Sequence, residues 1–130
     1  MKEVAIGDTI ADGLAARVPS RDTVAILRDT LEDMVEVEEA EIHAAIRCYA
    51  DTLHQLAEGA GAAALAGATR LRKRIAGQRV GIVLSGGNIT SSTLLSVLHG
   101  DPVVTVTDFQ NHALTSMDYD PRPKHETHEF

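Results

Sequence analysis

The chain contains a single cysteine, Cys48, so no intrachain disulfide can form and a reducing, cytoplasmic setting is expected. Aromatic residues make up only 3% of the 130 residues. The core must therefore be assembled from Ala, Val, Ile and Leu, and small side chains of that kind imply close contacts between helices and their neighbours. No apolar run approaches the ~20 residues needed to cross a membrane. Nor does a basic start precede an apolar stretch at the N-terminus, so a secretory signal is not expected. Positive charge is in deficit: the formal net charge is -7, which argues against nucleic acid or an anionic membrane as the main partner. One basic cluster stands out, Arg70, Arg72, Lys73 and Arg74, near the end of a predicted helix. Its simplest role is a favourable interaction with that helix's carboxyl end. No internal repeat is evident.

What is present is enough for one domain with a real core: 44% of residues are hydrophobic and 24% charged. The most informative stretch is Val80-Gly81-Ile82-Val83-Leu84-Ser85-Gly86-Gly87-Asn88. An aliphatic run without alternation predicts a strand buried on both faces. Ser85-Gly86-Gly87-Asn88 then predicts a turn at its carboxyl end, and helical spacing resumes near Thr90, with Thr90, Ser91 or Ser92 as N-cap. A glycine-rich turn between strand and helix suits either a bound ligand or simply a tight turn, and the residues alone favour the turn. It is not a Walker loop, since no Gly-Lys-Ser/Thr follows, and it is not a Gly-x-Gly-x-x-Gly dinucleotide fingerprint.

Along the rest of the chain, Met1 to Gly7 reads as an extended lead-in. Asp12-Gly13 predicts a turn. Ser20 is a candidate N-cap for a helix from about Arg21 to Leu31, with Val24, Ile26, Leu27 and Leu31 apolar. Met34-Val35-Glu36-Val37 alternates as a short strand would. Glu38, Glu39 and Glu41 open the next helix, where carboxylates favour the positive end of the helix dipole. Ile42, Ala45, Ile46, Tyr49, Leu53 and Leu56 carry one apolar face through it, and Cys48 is expected in the core. Glu58-Gly59 is read as a loop leading into an Ala- and Gly-rich helix to about Ile75, with Gly77 as its stop. A last helix runs through Leu98 and is ended by Gly100 and Pro102. After Asp101, Val103–Val106 suggests one more strand and the remainder a disordered tail. His125 and His128 are three apart, but a metal site is not expected there.

Four stretches stand in the order and spacing of one family: Thr9-Ile10-Ala11-Asp12-Gly13-Leu14-Ala15; Met34-Val35-Glu36-Val37-Glu38-Glu39-Ala40-Glu41-Ile42; Glu58-Gly59-Ala60-Gly61-Ala62-Ala63; and Val83-Leu84-Ser85-Gly86-Gly87-Asn88. Together they resemble the carboxyl-terminal part of the pyridoxal-phosphate enzymes of the threonine dehydratase, serine dehydratase and serine racemase group, over about Asp8 to Leu98. The resemblance implies a fold-type II enzyme, tryptophan synthase beta-like. Its fold would be α/β and three-layered, with a mainly parallel sheet, and residues 1–100 would form part of the large cofactor-binding domain and 101–130 a tail.

The resemblance also implies site residues. Ser85 would hydrogen-bond the pyridine nitrogen of pyridoxal phosphate, a neutral partner that leaves the ring a milder electron sink than a carboxylate would. Glu58 and Gly13 would lie near the cofactor, and Gly86 completes the cofactor-binding set. No catalytic residue is assigned: the family's Schiff-base lysine and tetraglycine phosphate loop lie upstream of the matched stretch, and Lys2, Lys73 and Lys124 sit in nothing like the lysine motif. Where the family usually has Pro after the glutamate, this chain has Gly59, which makes the loop less rigid. The implied activity is that of a threonine/serine ammonia-lyase giving a 2-oxo acid and ammonia from an amino-acid substrate. The chain alone is expected to be inactive and to need an upstream fragment or self-association. The alternatives are a non-enzymatic small-ligand or protein-interaction module, or a degenerate gene remnant.

Overall fold

The computed structural model describes residues 7–100. The lead-in before Gly7, the Val103–Val106 strand, the tail after Asp101 and the His125/His128 pair lie outside the described residues. In chain order the elements are a 3-10 turn Asp12–Leu14, α1 (Arg21–Thr30), α2 (Glu39–Cys48) running into a π-helical turn Tyr49–Leu53, α3 (Gly59–Arg70) and α4 (Ser91–His99).

The expected three-layer arrangement around a mainly parallel sheet is not found: the described residues form helices and no strand. The reason lies in backbone pairing. A strand exists only where a neighbour satisfies its N–H and C=O groups. The Val80–Leu84 run has the composition of a doubly buried strand, yet no backbone ladder forms along it among the described residues. Val83 is 73% exposed, the opposite of the burial its composition predicts. Met34–Val37 likewise has no strand partner.

The core is a helix-on-helix contact between α2 and α3, with α4 leaning on α2 and the 3-10 turn on α3. Its buried members are Ala11, Ile42, Ala45, Ile46, Tyr49, Ala57, Ala62, Ala66 and Val97. Five of these nine are alanine or small enough to let backbones approach, as the scarcity of aromatics requires. Ile42, Ala45, Ile46 and Tyr49 are the inward face expected of α2 from their three- and four-residue spacing. The helix does not continue to Leu56. It widens into the π turn, and His54, in the left-handed region with φ 54°, ends it. Cys48 is turned outward and exposed rather than in the core, and the Arg47 guanidinium instead donates to the Val97 carbonyl at 2.9 Å, tying α2 to α4.

The caps follow from the sequence in part. Thr90 caps α4, its hydroxyl accepting the Thr93 N–H at 3.1 Å, and Gly100 closes it with φ 78°. Ser20 occupies the N-cap of α1 without a side-chain bond, and α1 buries none of its residues. At the start of α2 the Glu41 carboxylate reaches back to accept the Glu38 N–H at 2.8 Å. That bond, with the Arg70 guanidinium 2.7 Å away, holds the Glu41 carboxyl below its ordinary value, desolvation opposing it. The basic cluster therefore does more than face its own helix end: Arg70 pairs with Glu41, and Arg74 pairs with Asp33 at 2.8 Å.

Candidate functional site

Three of the four stretches converge on the first turn of α3, and the remaining one is tied to the first stretch through the Glu39 carboxylate. The backbone N–H of Glu58, the N-cap of α3, donates to the Gly86 carbonyl at 3.1 Å. Its carboxylate does not cap its own helix. Instead Oε2 accepts the Asn88 N–H at 3.0 Å, and Oε1 lies against the α-carbon of Gly86, where a Cβ would overlap it. Glu58 thus grips the Ser85–Asn88 loop by both backbone and side chain.

The glycines explain why the loop comes so close. A Cβ on Gly61 would overlap the Gly86 carbonyl oxygen, and one on Gly87 would meet the Leu56 carbonyl oxygen at 2.7 Å. On the other side of α3, a Cβ on Gly59 would overlap the Ile10 carbonyl, and one on Gly13 would sit 3.1 Å from the Ala60 Cβ. Glycine inside a helix costs about 1 kcal/mol relative to alanine, so Gly59 and Gly61 are placed for contact rather than for the helix. The first stretch is held in turn by the second, the Glu39 carboxylate accepting the Ile10 N–H at 3.1 Å.

The residues expected at the site fall as follows. Glu58, Gly86 and Ser85 belong to one gripped loop, with Gly86 half-buried and Ser85 exposed. Gly13 lies in the Asp12–Leu14 turn, against Ala60 of α3. Asn88 and Glu39 are the residues whose part was not expected. Asn88 acts through its main-chain N–H, which side-chain chemistry cannot announce, and Glu39 is one of three carboxylates that look alike in sequence. The signal that points to the convergence is the Gly59-x-Gly61 spacing just inside a helix start.

What this arrangement offers chemically is a hydroxyl, Ser85, at an open loop whose backbone is fixed from below. Lys73 does not join it. It lies beyond the far end of α3, whose 12 residues span about 18 Å at the helical rise per residue. Among the described residues no group of three metal-binding side chains occurs, and no helix is long and apolar enough to cross a membrane.

Residues 1–86 match the family described as "Pyridoxal-phosphate dependent enzyme". The chain belongs to this family. Among curated relatives, a 96-residue stretch is 38% identical to an L-threonine ammonia-lyase of Geobacter sulfurreducens, covering 74% of this chain and 24% of that protein. A 92-residue stretch is 33% identical to an L-threo-3-hydroxyaspartate ammonia-lyase of a Pseudomonas species, covering 71% and 29%. An 81-residue stretch is 28% identical to a serine racemase of Schizosaccharomyces pombe, covering 62% and 25%. The kinship expected with the dehydratases and serine racemase is borne out, and pyridoxal phosphate is the cofactor of the family. The chain spans about a quarter of the length of these relatives.

The gripped loop fits one edge of such a cofactor. The Ser85 hydroxyl, exposed on the loop, is a neutral hydrogen-bond partner for a ring nitrogen, while the bare Gly86 and Gly87 let the loop seat against the Glu58 carboxylate and the Leu56 carbonyl. For the aldehyde and the phosphate, the Ser85–Asn88 loop carries no lysine or arginine of its own, and near the end of α3 Arg70 pairs with Glu41, Arg74 with Asp33, and Arg72 donates to the Thr69 carbonyl.

Proposed function

We propose that this chain forms the ring-nitrogen side of a pyridoxal-phosphate site in an ammonia-lyase acting on a 3-hydroxy amino acid. The observation that carries the reading is the double grip of Glu58 on the Ser85–Asn88 loop, which fixes the backbone that presents the Ser85 hydroxyl. The relatives support the substrate class. Threonine, 3-hydroxyaspartate and serine, the amino acids in their names, all carry a hydroxyl on the β-carbon.

When bound, the cofactor supplies an electron sink for the substrate's α-carbon. The chain's own part is positional. Ser85 offers the ring nitrogen an uncharged partner, Gly86 and Gly87 let the loop seat closely on Glu58 and Leu56, and Glu58 keeps it in place. Gly13 closes in from the first stretch across Ala60. The amine that would bond the cofactor and the groups that would hold its phosphate belong, on this reading, to the part of the enzyme that the relatives carry outside the matched region. That part is the partner the chain would assemble with.

The test is reconstitution. The full chain is mixed with the remaining portion of the Geobacter relative and pyridoxal phosphate, and cofactor absorbance is followed together with 2-oxo acid release from L-threonine and L-serine. Cofactor uptake and release by the mixture, lowered by Ser85→Ala, support the reading. No cofactor signal from the mixture counts against it. The distance of Lys73 from the loop favours one second reading, a non-catalytic module that holds a small ligand. Cofactor retention by the chain alone, with no turnover in the mixture, selects it.

A further inference from the structure

The three carboxylates at the start of α2 divide their labour. Glu41 turns back onto the Glu38 N–H and out to Arg70, which accounts for the helix start and its tie to α3. Glu39 takes no part in that. It is half-buried, and its Oε2 reaches across 29 residues of sequence to the Ile10 N–H at 3.1 Å. Ile10 is the residue whose carbonyl lies on Gly59 with no room for a Cβ between them. The next residue, Ala11, is only 4% exposed, and its N–H is taken by the Thr9 hydroxyl at 3.0 Å. From there the chain enters the Asp12–Leu14 turn, closed by the Leu14 N–H on the Ala11 carbonyl at 2.9 Å.

We infer that Glu39 is a positioning residue for the candidate site: by holding the Ile10 N–H it presses the Ile10–Ala11 peptide onto Gly59 and so sets where Gly13 stands against Ala60. The inference rests on the proposed cofactor site only for what Gly13 faces. The fastening itself stands on the geometry. The route is short and continuous. Glu39 fixes Ile10, Ile10 lies on Gly59, and the residue before Gly59 is Glu58, which grips the Ser85–Asn88 loop. One carboxylate on α2 thus acts on the first turn of α3 without touching the loop. Because Glu41 keeps the helix start, removing Glu39 releases the turn and leaves the helices standing.

The experiment uses the full chain, its Glu39→Ala and Glu39→Gln variants, and amide hydrogen exchange read residue by residue. A hydrogen bond from a backbone N–H to a carboxylate contributes of the order that changes an opening equilibrium about tenfold. Glu39→Ala is expected to speed exchange at Ile10 by about that factor and to move the Gly13 and Leu14 amide signals, while Ala45, Ile46 and Ala66 in the helices exchange as before. Glu39→Gln keeps an acceptor oxygen and is expected to restore most of the protection.

Unchanged exchange at Ile10 in Glu39→Ala overturns the inference, as does a uniform rise across all helices, which would show a merely structural residue. In the reconstituted mixture, Glu39→Ala should weaken pyridoxal-phosphate binding more than Glu39→Gln does. If the unmodified mixture takes up no cofactor, the functional reading fails while the exchange data still decide the role of Glu39.

Discussion

The Glu58 carboxylate and the Asn88 N–H, thirty residues apart in sequence, meet at 3.0 Å. The bond turns the N-cap of α3 outward, so that the residue that begins the helix serves the neighbouring loop instead of the helix. Glu58→Ala should speed amide exchange at Asn88 and lower stability by about 1 kcal/mol, the net worth of one partly exposed hydrogen bond. Glu58→Gln, which keeps an acceptor, should lose less. Denaturant unfolding and amide exchange check both.

Gly61 and Gly67 sit on the same helix and should respond oppositely to alanine. At Gly61 a Cβ overlaps the Gly86 carbonyl oxygen, whereas at Gly67 nothing lies within 4 Å. Gly61→Ala must push the loop away, at a cost of about 2 kcal/mol. Gly67→Ala should stabilise by about 0.5–1 kcal/mol through the ordinary helix preference for alanine. Thermal melts of the two variants give the comparison, and amide shifts at Gly86 and Asn88 should move only in the first.

The small core concentrates its dependence on few side chains. Ile46 is 1% exposed and Val97 fully buried, and among the described residues they are the largest fully buried side chains. Ile46→Ala should cost about 3 kcal/mol, enough to unfold a marginal domain. Ile46→Val, losing one methyl group, should cost about 1 kcal/mol. Urea titrations followed by circular dichroism measure both.

Acid should weaken the fold in two stages. Burial pushes the His43 imidazole below its ordinary value of 6.5, against the pull of Glu39 and with Arg47 acting in the same direction as burial. A histidine lowered in the folded chain takes up its proton more readily when unfolded. The stability it contributes is complete above 6.5 and falls as pH drops through the folded value. Asp33, lowered by the Arg74 hydrogen bond and the Met34 N–H, and Glu41, lowered by the Glu38 N–H and Arg70, act the same way at more acid pH. Their contribution is present above the ordinary carboxylate values and is lost below them. A melting series from neutral to acid pH should therefore decline first with His43, and His43→Gln should remove that first decline.

The helices were legible in sequence because their signals are local. The α2 face Ile42, Ala45, Ile46, Tyr49, the Thr90 cap and the Gly100 stop all depend on residues within a turn or two. The expected strands are absent among the described residues, because the Val80–Leu84 composition becomes a strand only beside a partner, and pairing is not a property of one run. Cys48 was misplaced because it stands off the Ile42, Ala45, Ile46 and Tyr49 face of α2 and is exposed. In the candidate site, the order of motifs singled out Ser85, Gly86, Glu58 and Gly13 as candidates. The grip itself was hidden, since it runs through the main-chain N–H of Asn88 and through glycines whose purpose shows only when a Cβ is imagined on them.

The most direct test of the central claim is the amide spectrum of the isotopically labelled chain, mixed with the unlabelled remainder of the Geobacter relative, as pyridoxal phosphate is added. The account predicts shifts at Ser85, Gly86, Asn88 and Gly13, with the signals of residues 71–79 unmoved. Shifts gathered on the arginines of residues 70–79, as for plain anion binding, or no shift in the Ser85–Asn88 loop, would contradict it.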